Sequence, residues 1–351
     1  MQFLGIDLFS GAGGMSVGAA KAGVSIRMAV EADPNAGATY AHNHPGVKLI
    51  NGDVRRVRSF YVRAGRAQVV LFGGPPCQGF STSNQRTRTS HNPENWLFRE
   101  FLRAIRSCSP DWVVFENVKG ILETEDGLFL DYVLSGFNKL GYSTAYQVLN
   151  AADYGVPQNR SRLFVVGSLH GVPFRFPKPS ARQRITVGEA IADLPVLKNG
   201  AAYDWLEYRG HSASRYALAM RGKLCRSPNH HVTNNAPHIL ERYRHIPQGG
   251  NWEDIPARLM KNYEDRTRCH TGIYHRLRAN EPSIVIGNYR KNMLIHPHQD
   301  RGLSVREAAR LQSFPDCFEF KGSIGFQQQQ VGNAVPPLLA EQVFRAIALT
   351  G

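Results

Sequence analysis

The sequence predicts an α/β fold: a doubly wound, mostly parallel sheet accompanied by a smaller irregular domain. Short apolar runs alternate with helical stretches through the first third of the chain, which is typical of strand–helix–strand units. A glycine-rich turn follows the first run, and the later runs end near Glu31, Asp53, Cys77 and Glu116, which are residue types that bind ligands or react. In a sheet of this kind, ligands bind at the carboxyl ends of the strands. The pattern therefore also predicts where functional residues lie.

Apolar runs predict the strands, and spaced apolar positions between them predict the helices. Strands are predicted at residues 3–9, 26–31, 47–50, 69–72, 112–115 and 163–167. Helices are predicted at residues 15–22, 33–42, 97–108 and 128–140. Gly23 stops the first helix, and Pro34 suits the first turn of the second.

The character of the chain changes near Pro173. Prolines at positions 173, 177 and 179 indicate a boundary, and periodicity is weak from there to about residue 300. Helices return at residues 306–312 and 336–349. We therefore predict one domain formed by residues 1–178 together with 325–351, and a second, irregular domain formed by residues 179–324.

Length and composition exclude several classes of protein. The 351 residues suffice for two domains, and 42% of them are hydrophobic. No stretch approaches the roughly 18 apolar residues of a membrane span, and the first residues lack the basic flank of a signal peptide. The five cysteines are scattered, odd in number and without a CxxC pair, which argues against a disulfide framework or a metal site. These features predict a soluble, cytoplasmic protein with no membrane partner and no metal.

The formal charge of +14 favours a polyanionic partner. Residues 1–150 are nearly balanced, with fifteen Lys/Arg against twelve Asp/Glu. Residues 209–278 carry thirteen against five, together with seven of the thirteen histidines. Any single arginine there is most often a solvated surface residue, but the block as a whole predicts a nucleic-acid surface.

The first three strand ends carry residues suited to a nucleoside-bearing cofactor. The turn at residues 10–14 (SGAGG) lets the backbone approach a ligand and opens a helix N-terminus, where an anionic group is favoured. Glu31 ends the second strand, where a ribose-binding acid is expected, and Asp53 follows the third. Taken singly, glycine turns are common, Glu31 fits a solvated turn and Asp53 fits a helix cap. Together they outline a cofactor site.

Cys77 follows the fourth strand in the segment Gly-Gly-Pro-Pro-Cys-Gln. Two glycines and two prolines fix the backbone there, so the thiol is held at a rigid corner, whereas a structural cysteine such as Cys108 lies in an apolar run. The thiolate is the reactive form of cysteine. Residues 78–95 are polar and predict a mobile loop, which suits a nucleophile that meets a large substrate and is then covered. Cys77 is therefore the predicted nucleophile.

Glu116 ends the fifth strand. A buried carboxylic acid near a cysteine would have a raised pKa suited to proton donation, although a capping or salt-bridged glutamate explains Glu116 equally well. Arg160 and Arg162 stand two residues apart, on one face of an extended segment. They can hold a substrate oxygen or a phosphate, or contribute only surface charge.

These motifs together resemble the DNA cytosine-5 methyltransferases of the restriction–modification type, in family order from about residue 3 to 345. The segments that carry the resemblance are DLFSGAGG (7–14), Glu31, GDV (52–54), GPPCQGFS (74–81), ENV (116–118), QNRSR (158–162), REAARLQSFPD (306–316) and VGNAVP (331–336). Their combination and order are highly specific. The resemblance implies the S-adenosylmethionine-dependent methyltransferase fold, which agrees with the predicted sheet.

The resemblance implies S-adenosylmethionine as the cofactor, with S-adenosylhomocysteine as its product. Glu31 would hold the ribose hydroxyls and Asp53 the adenine amino group. The other implied cofactor positions are Phe9, Gly11, Gly13, Val54, Pro75, Leu97, Asn333 and Val335. Ala32 departs from the pattern, because some members place a tryptophan there against the adenine. Weaker stacking, or a substitute apolar side chain, is expected in this chain.

The resemblance also implies a mechanism. Cys77 would add to carbon 6 of a cytosine flipped out of the duplex, so that carbon 5 can attack the methyl group. Glu116 would contact ring nitrogen 3, and Arg162 the carbonyl oxygen of the base. Arg160 would help to position the site and favour the thiolate. Loss of the carbon 5 proton and expulsion of Cys77 would release the product.

Double-stranded DNA is the implied partner. The loop at residues 78–95 would close over it, with contacts from Gln78, Ser81, Arg86 and Arg88. The domain at residues 179–324 would recognise the target sequence, and residues 247–252 within it are either a DNA-contacting loop or a plain turn. We expect a monomer, nucleoid-associated through DNA, with any cognate restriction endonuclease encoded separately.

Three other interpretations remain. An RNA cytosine-5 methyltransferase would share the cofactor site and nucleophile, but the sizeable basic insert favours DNA. A dinucleotide oxidoreductase would explain the glycine turn and leave GPPCQGFS and ENV unexplained. An inactive DNA-binding module would not need Cys77, Glu116 and both arginines together.

Overall fold

The chain divides into two compact units. The computed structural model describes residues 2–76, 97–123, 127–180, 183–209, 213–261, 272–287, 289 and 293–350. The first unit consists of Met1–Tyr154, Ser161–Ser180 and Val335–Gly351, and the second of Gly155–Arg160 and Ala181–Ala334.

The described residues of the first unit form a seven-stranded sheet. Its strands are β1 (Phe3–Leu8), β2 (Val24–Glu31), β3 (Lys48–Asn51), β4 (Gln68–Gly73), β5 (Trp112–Val118), β6 (Ser143–Asn150) and β7 (Ser161–Ser168). Their order is β3-β2-β1-β4-β5-β7-β6. Strands β1 to β5 are parallel, and β7 is antiparallel to both of its neighbours. The predicted doubly wound, mostly parallel sheet is therefore confirmed.

Helices accompany both units. Numbered along the chain, they are α1 (Gly14–Lys21), α2 (Pro34–Asn43), α3 (Phe98–Cys108), α4 (Leu128–Lys139), α5 (Val187–Ile191), α6 (Arg215–Arg221), α7 (Pro237–Arg244), α8 (Val305–Leu311), α9 (Ile324–Asn333) and α10 (Pro337–Thr350). In the first unit, a Cβ on Gly18 of α1 would lie 2.6 Å from the Cβ of Ala340 in α10, so only glycine permits this close packing. None of the helices in the described parts of the chain combines the length and apolarity needed to cross a membrane.

The central strands are held rigidly because they are apolar on both faces. Every residue of β1 is buried, and so are five of the six residues of β4. On one face, Phe101 of α3 packs against Phe115 of β5 and Phe137 of α4, with ring centroids 5.7 and 6.0 Å away. Such packing fixes the positions of the strand ends.

Strand β6 is the one element of the sheet that the sequence does not predict. It lies at the end of the sheet beside β7, and most of its residues are exposed or half-buried. An edge strand of this kind needs no apolar run, so its sequence, STAYQVLN, carries little periodic signal.

The second unit has more regular structure than predicted. Strands β8 (Ala202–Glu207) and β9 (Arg226–His231) form an antiparallel pair, and α5 to α9 belong to the same unit. Its core includes buried ion pairs, such as Arg310 Nη1 with Asp193 Oδ1 at 3.1 Å. Polar residues at core positions weaken the apolar periodicity, which is why the sequence does not predict these short elements.

Two segments that we predicted in the first domain belong to the second unit: Gly155–Arg160 and most of α9. The side chain of Gln158 explains the first, because it accepts the Ile286 N–H at 2.9 Å and donates to the Leu311 carbonyl at 3.2 Å. The second is tied in by the Gln312 amide, which donates to the Val331 carbonyl at 2.8 Å. These long-range bonds have no counterpart in local sequence pattern.

Candidate active site

The carboxyl ends of β1 to β5 lie at one edge of the sheet because these strands are parallel. Phe9, Gly11 and Asp53 follow strands at this edge, Glu31 ends β2, and Glu116 lies two residues before the end of β5. The residues Cys77, Gln78, Ser81, Arg86 and Arg88 lie outside the described part of the chain. The structure therefore bears on the surroundings of the predicted nucleophile, not on the nucleophile itself.

The glycine loop, residues 9–14, connects β1 to α1 in an unusual backbone conformation. Gly11 and Gly13 have φ values of 54° and 98°, and Phe9 has a φ of 58°. This left-handed region costs glycine little, but it strains a phenylalanine. The Phe9 side chain packs against the apolar core, and the Gly13 N–H donates to the Ser10 carbonyl at 2.9 Å. The loop is thus a tight turn that core packing holds in place.

Glu31, the last residue of β2, faces the glycine loop. Its Oε2 accepts the Gly11 N–H at 2.7 Å, and its Oε1 accepts the Asp33 N–H at 2.8 Å. Burial raises the pKa of Glu31, whereas the hydrogen bonds from Asp33 and Gly11 oppose that shift. The acid expected at this strand end therefore lies directly beside the loop.

Asp53 caps the short 3-10 turn Val54–Arg56 and is bound by its neighbour Arg55. Its Oδ1 accepts the Arg55 N–H at 2.9 Å, Nε lies 3.0 and 2.9 Å from the two oxygens, and Nη2 donates to Oδ2 at 2.6 Å. Hydrogen bonds from the Arg55 side chain and backbone lower the pKa of Asp53. Three N–H groups of Arg55 make these contacts, because the single Nε hydrogen is shared between the two oxygens. The Asp53 side chain is 30% exposed and that of Arg55 64% exposed, so a ligand amino group would compete with a solvent-exposed arginine for this carboxylate.

Glu116 lies near the end of β5 and is 7% exposed. Arg162 Nε lies 3.0 Å from its Oε1, and this ion pair is almost entirely buried. A Cβ on Gly74 would lie 2.6 Å from Glu116 Oε2, so the carboxylate rests against the backbone three residues before Cys77. The neighbouring Asn117 donates from Nδ2 to the Pro75 carbonyl at 3.3 Å. Two consecutive side chains of β5 thus contact the segment that leads to the predicted nucleophile.

The two arginines of QNRSR have separate partners. Arg160 is 1% exposed and donates to the carbonyls of Ile286 and Gly332, at 3.1 and 2.9 Å, so it joins backbone segments of the second unit. Arg162 lies in β7 of the first unit and pairs with Glu116. The predicted influence of Arg160 on Cys77 stays a prediction.

The remaining cofactor positions occupy varied surroundings. Val54, Pro75 and Val335 are buried, Leu97 is half-buried against the core of the first unit, and Asn333 is an exposed residue at the end of α9 in the second unit. Their contacts with a cofactor stay predictions. These residues share no burial class or chemical type, so only the resemblance to the family could identify them as cofactor positions.

The REAARLQSFPD segment contributes to the core of the second unit. Arg310 of α8 is fully buried and bonds Asp316 through Nε at 2.6 Å as well as Asp193. Glu307 pairs with Arg301 at 2.6 Å, and although burial acts to raise its pKa, the Arg301 guanidinium outweighs this and holds the pKa of Glu307 at about 2. Buried charges of this kind need their partners, because removing one leaves the other uncompensated. The charged residues of this motif therefore stabilise the fold of the second unit.

Sequence reasoning missed a buried polar cluster next to the glycine loop. Ser16 Oγ of α1 donates to Asp7 Oδ2 at 2.6 Å and lies 2.8 Å from the Tyr40 hydroxyl, and none of the three residues is more than 1% exposed. Burial raises the pKa of Asp7 to about 8, the Ser16 hydrogen bond opposes this shift, and the Glu31 charge adds to it. The only local signal is a single acid within the otherwise apolar strand FLGIDL.

Replacing Asp7 by asparagine is expected to remove a pH dependence from the free energy of unfolding. The folded chain keeps a proton on Asp7 up to about pH 8, whereas the unfolded chain loses it near the ordinary value of 3.8. Between these values the folded state binds more protons, so the Asp7 contribution makes the wild type less stable as pH rises, by about 1.4 kcal/mol per pH unit. Chemical denaturation across this range would measure the difference between Asp7→Asn and wild type. A difference independent of pH would contradict the buried, protonated state.

The chain is similar in sequence to known DNA methyltransferases. A sequence model of the C-5 cytosine-specific DNA methylases matches residues 3–349. Type II methyltransferase M1.HphI of Haemophilus parahaemolyticus is 37% identical over 99% of this chain and 87% of its own length. Type II methyltransferase M.DdeI of Desulfomicrobium norvegicum is 33% identical over 98% of this chain and 88% of its own. Both matches extend through the two units.

Solved structures give a consistent picture. A prophage-encoded protein of E. coli, assigned as a DNA modification methyltransferase, has a TM-score of 0.80 at 25% identity and covers 99% of each chain. The S. pombe Dnmt2 methyltransferase has a TM-score of 0.61 at 16% identity, covering 99% of this chain and 97% of its own, and therefore supports the fold alone.

Proposed function

This chain belongs to the C-5 cytosine-specific DNA methylases, and we propose that it methylates one cytosine within a specific duplex sequence through a covalent adduct with Cys77. The observation that carries the proposal is the buried Glu116–Arg162 pair, 3.0 Å apart. Its carboxylate lies against Gly74, in the segment that leads to Cys77. This pair supports the proposal because it holds a carboxyl group and a guanidinium next to the segment that leads to Cys77, where both could contact a bound base on which charge develops.

Residues at the ends of β1 to β3 fit S-adenosylmethionine, which supplies the methyl group when bound. A Cβ on Gly11 would meet no atom of the described residues within 4 Å, so there is room beside the glycine loop. The Glu31 carboxylate has lone pairs left for ribose hydroxyls after accepting two N–H groups. Asp53 would take the adenine amino group once Arg55 releases an oxygen.

The proposed reaction begins with the Cys77 thiolate, which forms a bond to carbon 6 of the flipped cytosine. The carboxyl group of Glu116 donates a hydrogen bond or a proton to ring nitrogen 3, so the electron pair displaced by the addition is stabilised and carbon 5 becomes nucleophilic. Carbon 5 would then form its bond to the methyl group as the bond between that methyl and the cofactor sulfur breaks, which would leave S-adenosylhomocysteine. The carbon 5 proton would pass to solvent water, and the electron pair it leaves would expel the Cys77 thiolate from carbon 6. A proton given to ring nitrogen 3 would return to Glu116, so that the aromatic ring is restored.

Arg162 has two tasks in this scheme. Its Nε fixes the orientation of the Glu116 carboxyl, at 3.0 Å from Oε1. A guanidinium carries five N–H donors in a planar fork, so the same side chain can also reach the carbonyl oxygen of the base. A lysine at this position would offer neither the fork nor the fixed geometry.

The relatives named type II methyltransferases support a role as the modification enzyme of a restriction–modification system, with the cognate endonuclease encoded separately. We assign target recognition to the second unit, since residues 209–278 carry a strong excess of Lys/Arg over Asp/Glu. Gln78, Ser81, Arg86 and Arg88 would contact DNA near the flipped base. The enzyme would act as a monomer.

Bisulfite sequencing of DNA from a methylation-free host that expresses the protein tests the proposal. We expect 5-methylcytosine at one cytosine of one short sequence, at nearly every copy of that sequence. The same host expressing Cys77→Ser should show none. Absence of site-specific 5-methylcytosine in DNA, together with methyl label in RNA from the same cells, would overturn the assignment of DNA as the substrate.

A further inference from the structure

Glu31 is placed to do more than contact a ribose. Each of its carboxylate oxygens already accepts a backbone N–H, one from Gly11 in the glycine loop at 2.7 Å and one from Asp33 at 2.8 Å. The backbone of Glu31 is held as well, because Asn51 Nδ2 donates to its carbonyl at 2.7 Å. The carboxylate is therefore anchored on the β2 side and reaches across to the loop that follows β1.

The glycine loop needs such an anchor. Gly11 and Gly13 adopt left-handed conformations. Because glycine has few steric restrictions, these two residues alone do not hold the loop in one conformation. Phe9 adopts a left-handed conformation at a steric cost. Within the loop, the Gly13 N–H bonds to the Ser10 carbonyl, and the Ser10 N–H bonds to the Val30 carbonyl at 3.1 Å. The Gly11 N–H is held by the side chain of Glu31, so this residue controls the tip of the turn.

We propose that Glu31 is a positioning residue that latches the glycine loop through the Gly11 amide before any cofactor binds, in addition to its contact with the ribose. A carboxylate offers about four lone-pair positions, so acceptor capacity for a ribose hydroxyl remains beside the backbone N–H donors of the latch. The latch and the ribose contact therefore coexist, and loop order is in place before binding. Pre-ordering of this kind improves affinity because less conformational entropy is lost when the ligand arrives.

The latch has a direct signature in the ligand-free protein. In Glu31→Ala the Gly11 amide loses its acceptor, and we expect its hydrogen exchange, followed by NMR, to accelerate at least about tenfold. Glu31→Gln keeps one acceptor oxygen and should give an intermediate rate. Asp33→Ala is the matched control, because it removes a nearby carboxylate whose acceptors serve Asn35 and Ala36 in α2. It should leave Gly11 exchange unchanged.

A ligand comparison separates the latch from the ribose contact. This part rests on the proposed function. Binding of S-adenosylhomocysteine and of its 2′,3′-dideoxy analogue would be measured by calorimetry for wild type and Glu31→Ala. If Glu31 acted only on the hydroxyls, the variant would bind the dideoxy analogue as well as wild type does. The latch predicts that the variant still binds this analogue several-fold more weakly.

The outcomes are distinct. Faster Gly11 exchange in Glu31→Ala together with weaker binding of the dideoxy analogue supports the latch. Unchanged Gly11 exchange, or equal affinity of wild type and variant for the dideoxy analogue, overturns it. If wild type bound neither ligand, the proposed cofactor would be wrong, and the exchange rates would still decide whether Glu31 holds the loop.

Discussion

Replacement of Cys77 by serine is expected to lower methyl transfer by roughly 10³-fold or more while leaving S-adenosylmethionine binding within a few-fold. A serine hydroxyl is nearly isosteric, but it ionises far less readily than a thiol, so addition to carbon 6 loses its nucleophile. The cofactor residues we assign lie largely at other strand ends, which is why binding should persist. Single-turnover transfer of labelled methyl groups to duplex DNA, beside equilibrium cofactor binding, measures the two quantities separately.

The matched control is Cys108→Ser. Cys108 lies at the end of α3, its Sγ donates to the Ala104 carbonyl at 3.2 Å, and burial raises the pKa of its thiol to about 12. A serine there keeps the hydrogen bond, so activity should survive. A duplex with 5-fluorocytosine at the target should trap a covalent complex in wild type and in Cys108→Ser, because the fluorine at carbon 5 cannot leave as a proton. Trapping by Cys77→Ser, or transfer at the wild-type rate, would remove Cys77 from the mechanism.

Sequence alone predicts the carboxyl ends of β1 to β4 to within one residue, because the apolar run that defines each strand is a local feature, whereas β5 extends to Val118, beyond its predicted end at residue 115. Strand β1 is buried throughout, so its apolar run is unbroken, and the glycines after it are needed for the left-handed turn. Glu31 ends β2, and Glu116, which we predicted just after the apolar run of the fifth strand, lies two residues before the end of β5. The resemblance to DNA cytosine-5 methyltransferases, which rests on those positions, is confirmed by the match of the family over residues 3–349.

The features that sequence does not predict depend on distant partners. Nothing near Asp7 in the chain indicates that Ser16 and Tyr40 enclose it, and nothing near Arg160 indicates its bonds to Ile286 and Gly332. Likewise, the sequence leaves open whether Asp53 binds a ligand or caps a local turn, and it does not indicate the hydrogen bonds between Asp53 and Arg55. The hydrogen-bond partner of each of these residues can be identified only from the folded structure, because its residue type allows several partners.

The second unit illustrates the same limit on a larger scale. Capping boxes at Thr186–Glu189 and Ser304–Glu307 mark two helix starts, and the S/T-x-x-E pattern is visible in the sequence. The β8–β9 pair gives no comparable signal, since β8 is largely exposed and β9 reads RSPNHH. A core stabilised by buried ion pairs has weak hydrophobic periodicity, so a basic and polar sequence suggested irregular structure where a folded unit exists.

Replacement of Glu116 by glutamine is expected to lower the rate of methyl transfer by roughly 10²- to 10³-fold, with DNA and cofactor affinity changed only a few-fold. The glutamine amide can still accept a hydrogen bond from Arg162, so the pair seen at 3.0 Å need not collapse, but the amide cannot transfer a proton to ring nitrogen 3. The lost stabilisation belongs to the transition state, and it should therefore appear in the rate and not in binding. Rapid-quench kinetics and fluorescence anisotropy on the same duplex measure the two effects.

Glu123→Gln is the matched control for charge and shape, because Glu123 is half-exposed and its contact with Lys119 is a surface pair at 4.0 Å. It should retain the wild-type rate. If Glu116→Gln also retained it, Glu116 would be only a buried structural partner of Arg162, and the acid in the mechanism would have to be sought elsewhere. If the loss lay entirely in DNA affinity, Glu116 would act in holding the flipped base and not in its chemistry. A loss confined to the chemical step is the result that makes the Glu116–Arg162 pair part of catalysis.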